Sequence, residues 1–191
     1  MRTRTLIFLM ALLFAGSAHA DMVDGVKGAV LPFDRSMTIG QAFDGWSNCA
    51  STEWKHIQTD RGQNIVISIC HMRDAQEFLS RVATSPAVSS SDMPGAIHLR
   101  GVRRAMFVLQ WNINVDGTLQ LGHAEQQYAW ADGKYLQIPL NLDQAITQVY
   151  EDVVFFSLPQ LTSSDELATL QVARAYNQIF YGHYRNASTA Q

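Results

Sequence analysis

The chain has 191 residues, of which 47% are hydrophobic, 16% charged and 10% aromatic, and a formal net charge of -3. That is about one domain's length with an ordinary apolar fraction, which excludes a largely disordered chain and a collagen-like repeat. Two cysteines are too few for a disulfide-dense miniprotein, and the slightly acidic balance argues against the basic face of a nucleic-acid binder.

Residues 1–20 read as a secretory signal peptide. Arg2 and Arg4 give a basic start, Leu6 to Phe14 an apolar run, and Ala18-His19-Ala20 a small-x-small cleavage pattern. The apolar run is shorter than the ~20 residues that span a bilayer, and no cysteine follows the cleavage pattern to carry a lipid. The alternative is a buried N-terminal helix. Losing Arg2 and Arg4 with the leader takes the net charge from -3 to -5. The expected product is periplasmic or secreted, with no membrane span. Residues 21–34 are expected to be extended, residues 35–185 to form a single α+β domain, and residues 186–191 to be a disordered tail.

Ser36 or Thr38 is placed to cap a short helix in which Ile39, Ala42, Phe43 and Trp46 recur at helical spacing. Trp54 to Ile57 and Asn64 to Met72 then read as two strands joined by a turn at Asp60-Arg61-Gly62. Folding back at that turn brings Cys70 to within a few residues of Cys49. In an oxidising compartment the expectation is a disulfide closing a loop of about 20 residues, worth roughly 3 kcal/mol. A reactive thiol is the alternative, but it lacks a C-x-x-C spacing. Ile65, Ile67 and Ile69 alternate along the second strand and are assigned to one face.

Asp74 stands three residues before Glu77, as in a capping box, opening a helix with Phe78, Leu79 and Val82. Thr84 to Gly95, rich in Ser, Thr and Pro, reads as a mobile loop. The strongest strand pattern follows Arg103-Arg104. Phe107, Leu109, Trp111, Ile113 and Val115 alternate with Gln110, Asn112 and Asn114, giving one buried and one wet side. Asp116-Gly117 turns the chain, Leu119 and Leu121 resume the alternation, and Gly122 marks a bulge. The strand runs through Tyr128 and Trp130 to a second turn at Asp132-Gly133, and Tyr135 to Ile138 returns. Short turns make this meander antiparallel.

Asn141 caps a helix with Ala145, Ile146 and Val149 on one face. Val153 to Leu158 fits either a helix extension or a strand, stopped by Pro159. Ser163 with Glu166 opens a last helix to about Tyr184, striped by Leu170, Ala173, Tyr176 and Phe180. Asn186-Ala187-Ser188 fits the glycosylation sequon. The expected fold class is α+β: an antiparallel meander flanked by a short N-terminal helix and two C-terminal helices.

Thr38-Ile39-Gly40-Gln41-Ala42-Phe43-Asp44, then Glu53-Trp54, a hairpin, and a long strand with Asn114-x-Asp116-Gly117 before Leu119-x-Leu121-Gly122 resemble small exported bacterial domains. In these a T-I-G-x-A-F-D helix precedes a W-containing hairpin, and the resemblance covers about residues 35–135. At the level of architecture the order is also similar to the outer-membrane assembly lipoprotein family SmpA/OmlA and to β-lactamase-inhibitor-protein repeats. This chain departs from the first in lacking a lipidation cysteine and from the second in lacking a clear second repeat. The resemblance supplies no catalytic residues.

No G-x-S-x-G, H-E-x-x-H, phosphate loop or H-x-E with paired cysteines occurs, so no catalytic, metal or cofactor site is assigned. His56, His71, His98, His123 and His183 lack a ligand spacing, and Glu151-Asp152 reads as a solvated helix face. Arg100, Arg103 and Arg104 form the one basic cluster, which is either an anion or acidic-partner contact or a charged edge that discourages aggregation. The wet face carries Gln110, Asn112, Asn114, Gln120, Gln126 and Gln127, with Tyr128, Trp130 and Tyr135 as candidate aromatic anchors. Amides of this kind hydrogen-bond a partner without burying ions. The alternative is that helices cover this face and the aromatics are core. The functional expectation is a non-catalytic exported protein that binds another envelope or secreted protein through its sheet, with Gln110, Asn112, Asn114, Tyr128, Trp130, Tyr135, Arg103 and Arg104 as contacts. The competing expectation is a hydrolase or small-ligand carrier with its site between the sheet and the C-terminal helices.

Overall fold

The structure is a computed structural model, which describes residues 17–84 and 93–155. Five strands, β1 (Cys49–Gln58), β2 (Asn64–Met72), β3 (Val102–Ile113), β4 (Leu119–Trp130) and β5 (Tyr135–Pro139), form one open sheet. Their order follows the sequence and every neighbour is antiparallel, as an α+β meander requires. Among the described residues five helices accompany it: α1 (Ser17–Gly28), α2 (Ile39–Asp44), α3 (Ala75–Val82), α4 (Met93–Leu99) and α5 (Leu142–Tyr150).

The first correction concerns residues 21–34, which open as the end of α1 rather than as extended chain. Val26 is buried in the core, and Met22 and Val23 pack against it, a helical spacing hidden when the chain is divided at residue 20. The end of α1 meets α2 closely. A Cβ on Gly40 would lie 2.8 Å from Lys27 Cβ and 2.9 Å from its carbonyl oxygen, so glycine is the residue that lets the two helices touch. Thr38, with an extended backbone, caps α2 as expected: its hydroxyl accepts from the Gln41 amide at 3.1 Å, and the Gln41 side chain accepts from the Thr38 amide at 2.9 Å.

The second correction is at α3. Asp74 precedes the helix but makes no capping bond, because its backbone is left-handed (φ 55) where a capping side chain needs an extended one. That turn holds the Arg73 amide on the Asn48 carbonyl at 2.8 Å, and Glu77 pairs instead with Arg81 at 2.6 Å. The third is the expected loop from Thr84 to Gly95. Residues 85–92 lie outside the described residues, but α4 already begins at Met93, with Ala96 and Leu99 fully buried and the Trp130 indole donating to the His98 carbonyl at 2.7 Å.

Asn141 caps α5 by accepting from the Gln144 amide, and Ala145, Ile146 and Val149 are buried. After α5 the chain is neither helix nor strand through Phe155. It is strapped to the residues before the disulfide instead. Asp152 accepts from the Ser47 amide (2.6 Å) and hydroxyl (2.7 Å), Asn48 Oδ1 accepts from the Phe155 amide (3.0 Å), and Trp46 Nε1 donates to the Val153 carbonyl (2.7 Å). Glu151-Asp152 is therefore no acid/base pair, since Asp152 is spent on Ser47. The expected second C-terminal helix, the tail and the sequon lie outside the described residues.

The core lies on one side of the sheet. Its strand residues are Cys49, Val66, Cys70, Met72, Val102, Ala105, Phe107, Leu109, Trp111, Ala124, Tyr128, Trp130 and Leu136, packed against Phe43, Phe78, Leu79, Leu99 and Ile146. The Cys49–Cys70 disulfide is formed within this core, with 5.3 Å between the Cα atoms. Gly122 is the extra residue of a bulge, since Gln110 pairs with His123 and Trp111 with Leu121.

Candidate functional site on the open sheet face

Register decides which residues share the other face. Cys70 is core, so the residues two and four before it, Ser68 and Val66, point inward and are buried. Ile65, Ile67 and Ile69 then point the opposite way and are only half-buried. They share one face, as expected; the disulfide fixes the parity of β2, and that face is the one away from the described helices.

Pairing across the strands assembles this face row by row. Ile57 leads through Ile65 and Asn112 to Gln120, and Lys55 through Ile67 and Gln110 to His123. Glu53 leads through Ile69 and Val108 to Glu125 and Pro139, and His71 through Met106 and Gln127 to Gln137. The apolar residues of this face grade from Ile57, 44% exposed on the edge strand, through half-buried Ile65, Ile67 and Ile69 to Val108, 3% exposed on the central strand. None of these residues belongs to the described core cluster.

Polar groups border the apolar strip on both sides. On β1, Lys55 and Glu53 pair at 3.0 Å, and His71 lies 3.9 Å from Glu53. The Lys55 bond, helped by the nearby His71, holds the Glu53 carboxyl below the ordinary glutamate range against the opposing effect of burial. On β4 and β5, Glu125 is the one buried charged residue described. One of its oxygens accepts from the Gln127 and Gln137 amides at 2.5 Å and 3.1 Å, and the other lies 3.1 Å from His123 Nε2. These bonds offset the cost of removing a carboxylate from water. Beside them Tyr135 is 42% exposed, its hydroxyl pushed up by partial burial and by the Glu125 charge.

Of the eight expected contacts, Gln110, Asn112, Tyr135 and Arg104 lie on this face, and Arg103 is the extra residue where Val102 pairs with Trp130 and Arg104 with Ala129. Three do not. Asn114 is in the turn after β3, where its amide donates to the Thr118 hydroxyl at 2.9 Å. Tyr128 and Trp130 are 1% and 6% exposed on the core side, so they are core aromatics rather than anchors. Burial raises the Tyr128 hydroxyl well above its usual range, and its proton goes to Gln126 Oε1 at 2.8 Å. Gln126 is thus on the core side too. The amide-and-aromatic count mixed two faces because the Gly122 bulge shifts the alternation of β4 by one. The isoleucines, His123, Glu125 and Gln137 were missed, although the parity of Cys70 was enough to expose the isoleucines.

His56 and His71 do not converge. His56 faces the core side, 3.0 Å from Asn64 Oδ1, while His71 faces the open side. Among the described residues no three of His, Cys, Asp and Glu come together to hold a metal ion, and no helix is long and apolar enough to cross a membrane. No protein-family model matches the chain, and neither the curated proteins nor the solved structures contain a match to it.

Proposed function

We propose that this is an exported, non-catalytic protein that binds another envelope or secreted protein through the open face of its sheet. The observation that carries the reading is the strip of Ile57, Ile65, Ile67 and Ile69 outside the described core, flanked by amides and by paired charges. An apolar centre with a polar rim is the anatomy of a protein interface, and buried apolar area there is worth about 25 cal/mol per Å² before the costs of association. The disulfide and the signal-peptide pattern support an oxidising compartment outside the cytoplasm. The resemblance to small exported bacterial domains supports an accessory or inhibitor-like role. The net acidic charge disfavours nucleic acid as the partner.

The test compares capture from an envelope extract by the parent chain and by Ile67→Lys, with circular dichroism confirming that both are folded. The reading expects a defined protein that the parent retains and the variant loses. The same proteins on both baits, or none on either, would count against it.

A further inference from the structure

A groove of about 700 Å³ runs between α3 and the start of β3, within the size range of pockets that take a ligand-sized group. Its walls carry Arg103 and Arg104 on the strand side and Asp74, Glu77 and Arg81 on the helix side. The strand side depends on a second bulge. Val102 pairs with Trp130 and Arg104 with Ala129, so two residues of β3 advance against one of β4, and Arg103 is the extra one. Val102 and Ala105 are both buried core residues, and the two arginines between them are exposed and line the groove together. A bulge re-aims side chains that strict alternation would send to opposite faces.

Neither Arg103 nor Arg104 makes an ion pair among the described residues, whereas Arg81 is taken by Glu77 at 2.6 Å. Two adjacent guanidinium groups repel each other, and a purely structural pair would be expected to find a carboxylate in a chain of net charge -3. Side by side they offer forked donors matched to one carboxylate. Asp74 and the Glu77–Arg81 pair on the facing wall would repel a polyanion but tolerate a single negative charge on an otherwise neutral segment. Arg104 also shares a row with Ala129 and Tyr135, which joins the groove to the open face.

We propose that this groove takes an acidic side chain from a segment of the partner protein, its carboxylate held by Arg103 and Arg104. The inference rests on the reading of the chain as a protein binder and adds the chemistry of one contact. The test is a titration of the ¹⁵N-labelled full chain with acetylated, amidated Ala-Ala-Glu-Ala-Ala, its Gln counterpart and inorganic phosphate, each to several millimolar. The glutamyl peptide is expected to shift the Arg103 and Arg104 resonances, and the glutaminyl peptide to leave them in place. The double variant Arg103→Gln/Arg104→Gln should weaken binding about tenfold or more, the loss of one charge-assisted bond pair, while Arg61→Gln, exposed in the β1–β2 turn, should not. An equal response to both peptides, no response, or arginines that answer phosphate alone overturns the proposal. If the glutamyl peptide fails while Ile67-dependent capture persists, this inference alone falls. If it binds while capture ignores Ile67, the groove stands and the sheet-face reading falls.

Discussion

At the scale of single residues, backbone conformation separates two helix starts that look alike in sequence. Thr38 has an extended backbone and caps α2, whereas Asp74 is left-handed and caps nothing. Thr38→Ala should therefore cost about 1 kcal/mol in urea denaturation, while Asp74→Gly should cost nothing or stabilise, since glycine accepts a positive φ freely. Asp44 gives a pH signature. Burial on its own would raise its carboxyl, but bonds from Lys27 (2.6 Å), Trp54 (2.7 Å) and Thr52 (2.9 Å) outweigh it and hold the group below its ordinary range. The folded state thus takes up this proton less readily than the unfolded chain. Its stabilisation is present above the unfolded value of about 4 and fades as pH falls through the lower folded value. Asp44→Asn should flatten the fall in melting temperature as pH drops below about 4; an unchanged slope would contradict the assignment.

At the scale of elements, parity governs β2. A change of one position moves a side chain from core to open face, so Ile67 on the open face and Leu109, paired with its inward neighbour Ser68, should differ in cost. Leu109→Ala, fully buried, should cost about 2–5 kcal/mol, and Ile67→Ser under about 1 kcal/mol, by urea denaturation. Reducing the buried Cys49–Cys70 bridge, which closes a separation of 21 residues, should cost roughly 3 kcal/mol by the same measurement. The strands, the β1–β2 hairpin, the β3–β5 meander and the disulfide were legible in sequence because alternation, Asp-Gly turns and hairpin geometry each act locally. The β2–β3 pairing that joins the two is non-local and was not. That Ile65, Ile67 and Ile69 share a face was legible too, but which face it is depends on the parity of Cys70, which alternation alone does not supply. Tyr128 and Gln126 escaped for a related reason: the Gly122 bulge is local, but its effect on every later residue of β4 is not. The helical nature of Met22 to Gly28 was obscured by a division at residue 20 that the folded segment crosses.

At the scale of the whole molecule, five antiparallel strands hold a helix-covered core on one side and a strip of isoleucines, amides and paired charges on the other. The central claim is that this second side meets a partner protein. The most direct measurement is site-specific photocrosslinking in the cell that exports the chain, with a photoreactive phenylalanine at Ile67 or, as a control, at Val115, which is fully exposed in the β3–β4 turn. The account predicts one adduct of defined mass from position 67 and none from position 115. No adduct from position 67, or the same adducts from both positions, would contradict it.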